Sequence, residues 1–256
     1  MPLLQVSGMT HYFGGLRAVH RYHLTLEPGE IRGLIGPNGA GKTTVFNLIT
    51  GIHTPTEGKV ELEGRSIVGR RPHQIAALGL GRTFQNLLLW RHMTVGEHVR
   101  MAHYSQLGYG LIGALFGTPR RIAEERRVAE NSMRLMEMFD VARYRDFLVG
   151  NLPYGAQRRV EMARAMAIDP KVLLLDEPTA GMTPEELVTM IGTIRQVHRD
   201  FGVAILLIEH RLKFVMELCR RIQTLVFGEV IAEGTPQEIQ RNPHVIEAYL
   251  GKEEIA

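Results

Sequence analysis

The chain has 256 residues, 45% hydrophobic and 22% charged, enough for one large α/β core or for a core with a small subdomain, with no need of covalent staples. Its single cysteine, Cys219, excludes an internal disulfide and any cysteine-pair metal site, which fits an intracellular, reducing compartment. The net charge of +3 and pI near 9.1 come from basic residues scattered in short pairs such as Arg70-Arg71, Arg120-Arg121 and Arg158-Arg159, so a solvated surface is expected and no nucleic-acid partner.

Met1 to Val6 lacks the charged and long apolar regions of a secretion signal, so export is not expected. Leu3 to about Gly64 reads as short strands and glycine turns, ending in Gly58-Lys59-Val60-Glu61-Leu62-Glu63-Gly64. Within it, Glu30 to Ile35 predicts a buried strand, and Lys42 to Thr50 a helix carrying Val45, Phe46, Leu48 and Ile49 on its apolar side. Between them stand Gly36, Pro37, Asn38, Gly39, Ala40, Gly41, Lys42 and Thr43, a full match to the phosphate-cradling P-loop, with Thr44 behind it. The glycines let successive N–H groups converge on a β-phosphate, Lys42 reaches the β and γ oxygens, and the Thr43 hydroxyl ligates Mg²⁺. A nucleoside triphosphate is the ligand this pattern implies.

From about residue 86 to 151 the periodicity turns helical. Thr94 and Glu97 make a capping box opening a helix through Met101, and Arg120 to Met138 is amphipathic, with Ala123, Val128, Met133 and Met136 among its apolar members. The longest apolar stretch, Leu107 to Phe116, is broken by glycine and shorter than the ~20 residues a spanning helix needs, so any membrane role is played from the side. After Asn151 strands alternate with helices: strands at Lys171–Asp176 and Val203–Ile208, helices at Pro184–His198 and Leu212–Cys219. Two short strands, Ile222–Phe227 and Val230–Ala232, and helices near Pro236–Gln240 and Pro243–Leu250 complete the chain. The expected architecture is α/β: a P-loop NTPase core from residues 1–85 and 152–256 on a mostly parallel sheet, an antiparallel β-subdomain at the N-terminal side, and an inserted helical subdomain at about 86–151.

At the end of the Lys171–Asp176 run, a buried strand delivers the Asp176 carboxylate to the Mg²⁺ shell, directly or through water, as in a Walker B motif. Glu177 follows, and alternation along an extended backbone is expected to send its side chain elsewhere, toward an attacking water.

With these motifs in this order the chain resembles the ATP-binding subunits of ABC transporters from about Leu3 to Leu250. The resemblance implies that Phe13 is the aromatic platform for adenine, with Tyr12 as the fallback, at a stacking worth about 1–3 kcal/mol. Gln85, in Arg82-Thr83-Phe84-Gln85-Asn86, matches the Q-loop glutamine that touches Mg²⁺ or the water and reports nucleotide state. His210 matches the switch histidine that contacts the γ-phosphate. The family signature, usually Leu-Ser-Gly-Gly-Gln, is here Leu152, Pro153, Tyr154, Gly155 and Ala156, followed by Gln157. Pro153 has no donor where the family has a serine hydroxyl, so phosphate contact is expected from the helix N-terminus, through the N–H groups of Gly155, Ala156 and Gln157. Thr183 stands where the family's D-loop often has an aspartate.

The Tyr-Gly pair before Gln-Arg-Arg and the ending from Gly234-Thr235-Pro236 to Gly251 are most similar to the branched-chain amino acid uptake subgroup; urea and amide importers share much of this. The resemblance implies ATP and Mg²⁺, and a second ABC ATPase subunit, identical or distinct, whose signature closes each site. It further implies transmembrane permeases, an extracytoplasmic solute-binding protein, and residence at the cytoplasmic face of the cell membrane. Alternatives are an ATPase extracting lipid or lipopolysaccharide and, from another class, a soluble ABC-type protein of DNA repair or translation, though the chain lacks the tandem cassettes, coiled-coil insertion or basic arm of the latter.

Overall fold

In a computed structural model, which describes residues 1–103 and 118–250, the apolar runs form strands buried along their whole length. Two units are distinguished by their internal contacts: Met1–Arg82 together with the chain from Lys171 onward, and Thr83–Pro170.

The first unit carries two sheets. Strands β1 (Leu4–Phe13), β2 (Leu16–Leu26), β4 (Glu57–Leu62) and β5 (Arg65–Ser66) form an antiparallel sheet in the order β2-β1-β4-β5. Strands β3 (Ile31–Ile35), β6 (Leu80–Arg82), β7 (Val172–Asp176), β8 (Ala204–Ile208), β9 (Arg221–Val226) and β10 (Glu229–Gly234) form the second sheet in the order β10-β9-β3-β8-β7-β6. Every pairing in the second sheet is parallel except β10 on β9. All residues of β3, β7 and β8 are buried, which is why their sequences are continuous apolar runs rather than alternating ones. Two charged residues interrupt these runs, Asp176 at the end of β7 and Arg32 in β3, and Arg32 keeps its charge paired, with Nε 3.0 Å from Glu30 Oε1 and a terminal nitrogen 3.3 Å from Glu233. The α/β architecture expected from the sequence, with its antiparallel sheet toward the N-terminus, is the one observed.

Helix α1 (Lys42–Ile49) follows β3, and α2 (Pro72–Ala77) precedes β6. In the second unit, α3 (Val95–His103), α4 (Pro119–Met138) and α5 (Tyr154–Met166) are its main helices. Back in the first unit, α6 (Pro184–Phe201), α7 (Leu212–Leu218), α8 (Pro236–Arg241) and α9 (Pro243–Leu250) complete the described elements. The Thr94–Glu97 capping box is present: Glu97 Oε2 accepts from Thr94 N–H at 2.7 Å and Thr94 Oγ1 accepts from Glu97 N–H at 3.2 Å. The same device opens α6 through Thr183 and Glu186, so Thr183 at the D-loop position is the N-cap of the following helix. The apolar stretch Leu107–Phe116 lies outside the described residues, among which no helix is long and apolar enough to cross a membrane.

On α4 the buried positions are Val128, Ser132, Leu135 and Met136, a stripe at helical spacing that leaves Ala123 exposed and Met133 half-buried. The second unit runs from Thr83 to Pro170 rather than from 86 to 151, so α5 groups with the helical insert. The reason is physical: Arg158 and Glu161 of α5, both buried, hydrogen-bond the main chain at Phe84 and Gln85, ahead of the expected boundary.

The second unit also buries two imidazoles, His98 and His103. Desolvation holds both below the ordinary value of 6.5, with Arg164 adding to the effect on His98 and Arg127 to that on His103. His98 Nε2 lies 3.0 Å from the Trp90 carbonyl and its ring stacks on the indole at 6.0 Å. A folded value below the unfolded one means that the unfolded chain takes up the proton first, so this stability is complete above pH 6.5 and is lost as pH falls below it. Trp90, the only tryptophan, is expected to report early loss of this site on acidification to about pH 5.5, and His98→Gln to flatten the dependence. Identical unfolding midpoints across that range would contradict it.

Candidate nucleotide-binding site

Strands β3, β8 and β7 lie side by side and parallel, so the segments leaving their C-terminal ends share one edge of the sheet. The P-loop leaves β3, Asp176 ends β7 with Glu177 directly after it, and Glu209-His210 leave β8. That edge is where open α/β sheets bind ligands.

The loop's conformation requires its glycines. Gly36 and Gly41 have φ of 151° and 101°, and a Cβ on them would approach the Leu225 carbonyl oxygen to 2.1 Å and that of Ala18 to 2.6 Å. Gly41 caps α1 with no side chain of its own, so the first-turn amides face outward with the positive end of the helix dipole. Ala40 is tied at both ends, its N–H to the Pro37 oxygen at 3.2 Å and its oxygen to Gly228 N–H at 2.9 Å. Lys42 is 6% exposed, and its Nζ donates to the carbonyls of Gly36 at 2.6 Å and Pro37 at 3.0 Å, which sets the ammonium across the loop. Asn38, Gly39 and Thr43 are exposed, while Pro37 and Thr44 are half-buried.

Asp176 is 1% exposed, and its Oδ2 is 3.0 Å from Arg82. The Arg82 guanidinium also donates to Asn47 Oδ1 at 2.8 Å and Thr50 Oγ1 at 3.0 Å on and after α1, and lies 5.5 Å from the Phe46 ring centre. Arg82 thus fixes the carboxylate relative to the P-loop helix. Glu177 departs from expectation: the strand stops at Asp176, and a left-handed backbone, φ 48°, rather than strand alternation turns its side chain. Such a conformation costs a non-glycine residue about 1–3 kcal/mol and is held here by the bond from Glu177 N–H to the Ile208 oxygen, at 2.9 Å. The half-exposed His210 places Nδ1 3.9 Å from Glu177 Oε1.

Phe13, at the end of β1, is 44% exposed; His11 and His53 pack its ring edge-on with centroids at 4.6 and 5.2 Å. Tyr12, 41% exposed, makes no such ring contact among the described residues. In the second unit, Gln85 is exposed, and the signature segment runs into α5 with Pro153 as N-cap. The amides of Ala156 and Gln157 donate to the Pro153 oxygen at 3.0 and 3.1 Å, and Gln157 Nε2 to the Leu152 oxygen at 2.8 Å. Of the three amides expected to meet phosphate, two are therefore spent inside the first turn, and Gly155, with Tyr154 before it, heads the helix. The first unit thus gathers Phe13, the P-loop, Asp176, Glu177 and His210; Gln85 and residues 152–157 belong to the second.

The donor set suits Mg²⁺. Thr43 and Asp176 supply hard oxygens, and no group of three or more His, Cys, Asp or Glu side chains able to hold a metal occurs among the described residues. A cation that takes few protein ligands and completes its shell with phosphate and water oxygens is one that behaves as magnesium does.

The sequence pattern of the family described as ABC transporter matches residues 19–180. The chain belongs to that family. A second pattern, described as branched-chain amino acid ATP-binding cassette transporter, matches residues 229–255. Among curated relatives, the chain is 42% identical to the high-affinity branched-chain amino acid transport ATP-binding protein BraF of Pseudomonas aeruginosa over 98% of both chains. It is 43% identical to LivG of Escherichia coli K12, a protein of the same description, again over 98% of both. Among solved structures, the ADP conformation of MJ1267, an ATP-binding cassette of an ABC transporter, matches with a TM-score of 0.84 and 30% identity, over 98% of this chain and 99% of that one.

Two charged residues of this ABC cassette escaped the sequence reading. Arg82 stands in a quoted segment but gives no sign there that it pairs with Asp176. Glu209 is fully buried between β8 and His210, where its carboxylate accepts from Thr179 N–H at 3.0 Å, the Thr179 hydroxyl, His210 N–H at 3.1 Å and Arg211 N–H at 3.4 Å. It therefore ties the segment after Glu177 to His210. Its available signal was an acid closing an otherwise apolar run, Ala204 to Ile208, where a charge is costly unless it is bonded.

Proposed function

We propose that this ABC cassette is the ATP-hydrolysing subunit of an importer of branched-chain amino acids, held peripherally at the cytoplasmic face of the cell membrane by its permeases. The observation that carries the substrate class is the match of residues 229–255 to the branched-chain subgroup, alongside relatives of that description spanning 98% of both chains.

In this reading the loop amides and Lys42 hold the β- and γ-phosphates, and adenine stacks on Phe13. Thr43 and Asp176, with Gln85, would hold Mg²⁺, which when bound would neutralise charge on the phosphate oxygens. Glu177 orients and deprotonates the water that attacks the γ-phosphorus in line, and His210 hydrogen-bonds a γ-oxygen. Leu152 to Gln157 complete the site of a second ABC subunit, so that hydrolysis needs two cassettes closed on one another. An extracytoplasmic binding protein delivers the solute to the permeases.

The test is uptake by proteoliposomes holding this chain, its genomic partner cassette and permeases, supplied with the binding protein. ATP-dependent accumulation of leucine, isoleucine or valine is expected. Accumulation of urea, an amide or a lipid instead would overturn the substrate, and ATP-independent transport would overturn the function.

A further inference from the structure

Arg158 and Glu161 lie nearly one turn apart on α5 and are 1% and 0% exposed. They form an ion pair at 2.9 Å. Taking two charges out of water costs several kcal/mol for each ion, and apolar residues of similar volume would pack a helix at least as stably. What apolar residues could not do is hold a main chain. The Arg158 guanidinium donates to the carbonyls of both Phe84 and Gln85, and Glu161 Oε1 accepts from Phe84 N–H at 3.0 Å. Both polar groups of Phe84 and the carbonyl of Gln85 are thus held from one helix, next to a residue whose own side chain is exposed.

A fourth contact reaches the head of the helix. The terminal nitrogen of Arg158 that serves the Gln85 carbonyl also donates to the Tyr154 hydroxyl at 3.0 Å, and the guanidinium carbon lies 5.5 Å from that ring's centre. Tyr154 stands where the usual signature has a glycine, so the residue that departs from the family pattern is part of the same clamp. A planar fork with five donors suits this: one guanidinium serves two carbonyls, a carboxylate and a phenol in fixed directions, which a lysine ammonium cannot.

We infer that Arg158 and Glu161 are a positioning pair that locks the Q-loop main chain to the signature helix, so that Gln85 and the helix head at Tyr154 move as one piece when the site closes. Neither residue touches nucleotide. The inference rests on the function proposed above, in which Gln85 senses nucleotide state and the head of α5 faces the second cassette's ATP.

The test is a double-mutant cycle on ATPase activity of the assembled transporter, with ATP affinity measured in parallel. Arg158→Lys is expected to lower kcat about tenfold or more with the Kd for ATP within about twofold, since a supporting residue lost behind a site acts on geometry rather than on binding. Gln85→Ala lowers kcat on its own. In the double variant the two losses are expected not to multiply, the rate staying within about threefold of the slower single variant, as for residues acting as a unit. A merely structural arginine, which contacts only the carbonyl of Gln85 and not the side chain deleted, would give multiplying losses. That result, or a folded Arg158→Lys protein with kcat within about twofold of the parent, overturns the inference. If the lysine variant does not fold, Glu161→Gln takes its place in the cycle, and failure of both to fold assigns the pair to stability alone and also overturns it. A parent complex that hydrolyses no ATP would instead overturn the proposed function.

Discussion

Replacing Glu177 by glutamine is expected to leave ATP binding intact and to lower turnover by about 10²–10⁴-fold, the range for removal of a positioned general base. The amide keeps the volume of the side chain and its left-handed backbone, φ 48°, so the loop after β7 should keep its shape. What it loses is the ability to take the proton of the attacking water. The groups proposed to bind ATP lie at another strand's exit, on the P-loop after β3, so binding is expected to be unaffected. Closed dimers should therefore accumulate with ATP trapped between the two cassettes, visible by size-exclusion chromatography with unhydrolysed nucleotide in the dimer peak. Turnover close to the parent's would remove Glu177 from the mechanism and leave its strained backbone unexplained.

Replacing Lys42 by methionine is expected to act one step earlier. The ammonium, 6% exposed and directed across the loop by the Gly36 and Pro37 carbonyls, is the one full positive charge within the phosphate-binding loop. A hydrogen bond to a charged group contributes about 1.5–3 kcal/mol, so losing two to the β- and γ-phosphates weakens ATP binding by about 10²–10⁴-fold. Methionine preserves the packing of the stem, and the unfolding midpoint should stay near the parent's. Unweakened nucleotide binding in a folded Lys42→Met protein would contradict the assignment of the loop.

Much of this arrangement was legible in the primary structure because its causes are local. The P-loop is a contiguous pattern whose glycines answer to positive φ and blocked Cβ positions at Gly36 and Gly41. Strands β7 and β8 announce themselves as apolar runs because both their faces are covered. Capping boxes and proline starts mark α3, α6, α8 and α9 within a residue or two. The less legible parts depend on partners distant along the chain. Arg82 meets Asp176 across 94 positions, and Arg158 meets Gln85 across 73, so neither pairing leaves a periodicity to read. The limits of the helical unit are illegible for the same reason, since Arg158 and Glu161 bond to a segment that precedes the insert. The direction of the Glu177 side chain was not legible, because strand alternation cannot foresee a left-handed residue held by a bond to Ile208.

The most direct test of the whole account is isothermal titration of the purified, folded chain with ATP in the presence of magnesium. One nucleotide taken up per chain, with the heat abolished in Lys42→Met, is the expected result. A folded chain that takes up no nucleotide would contradict it.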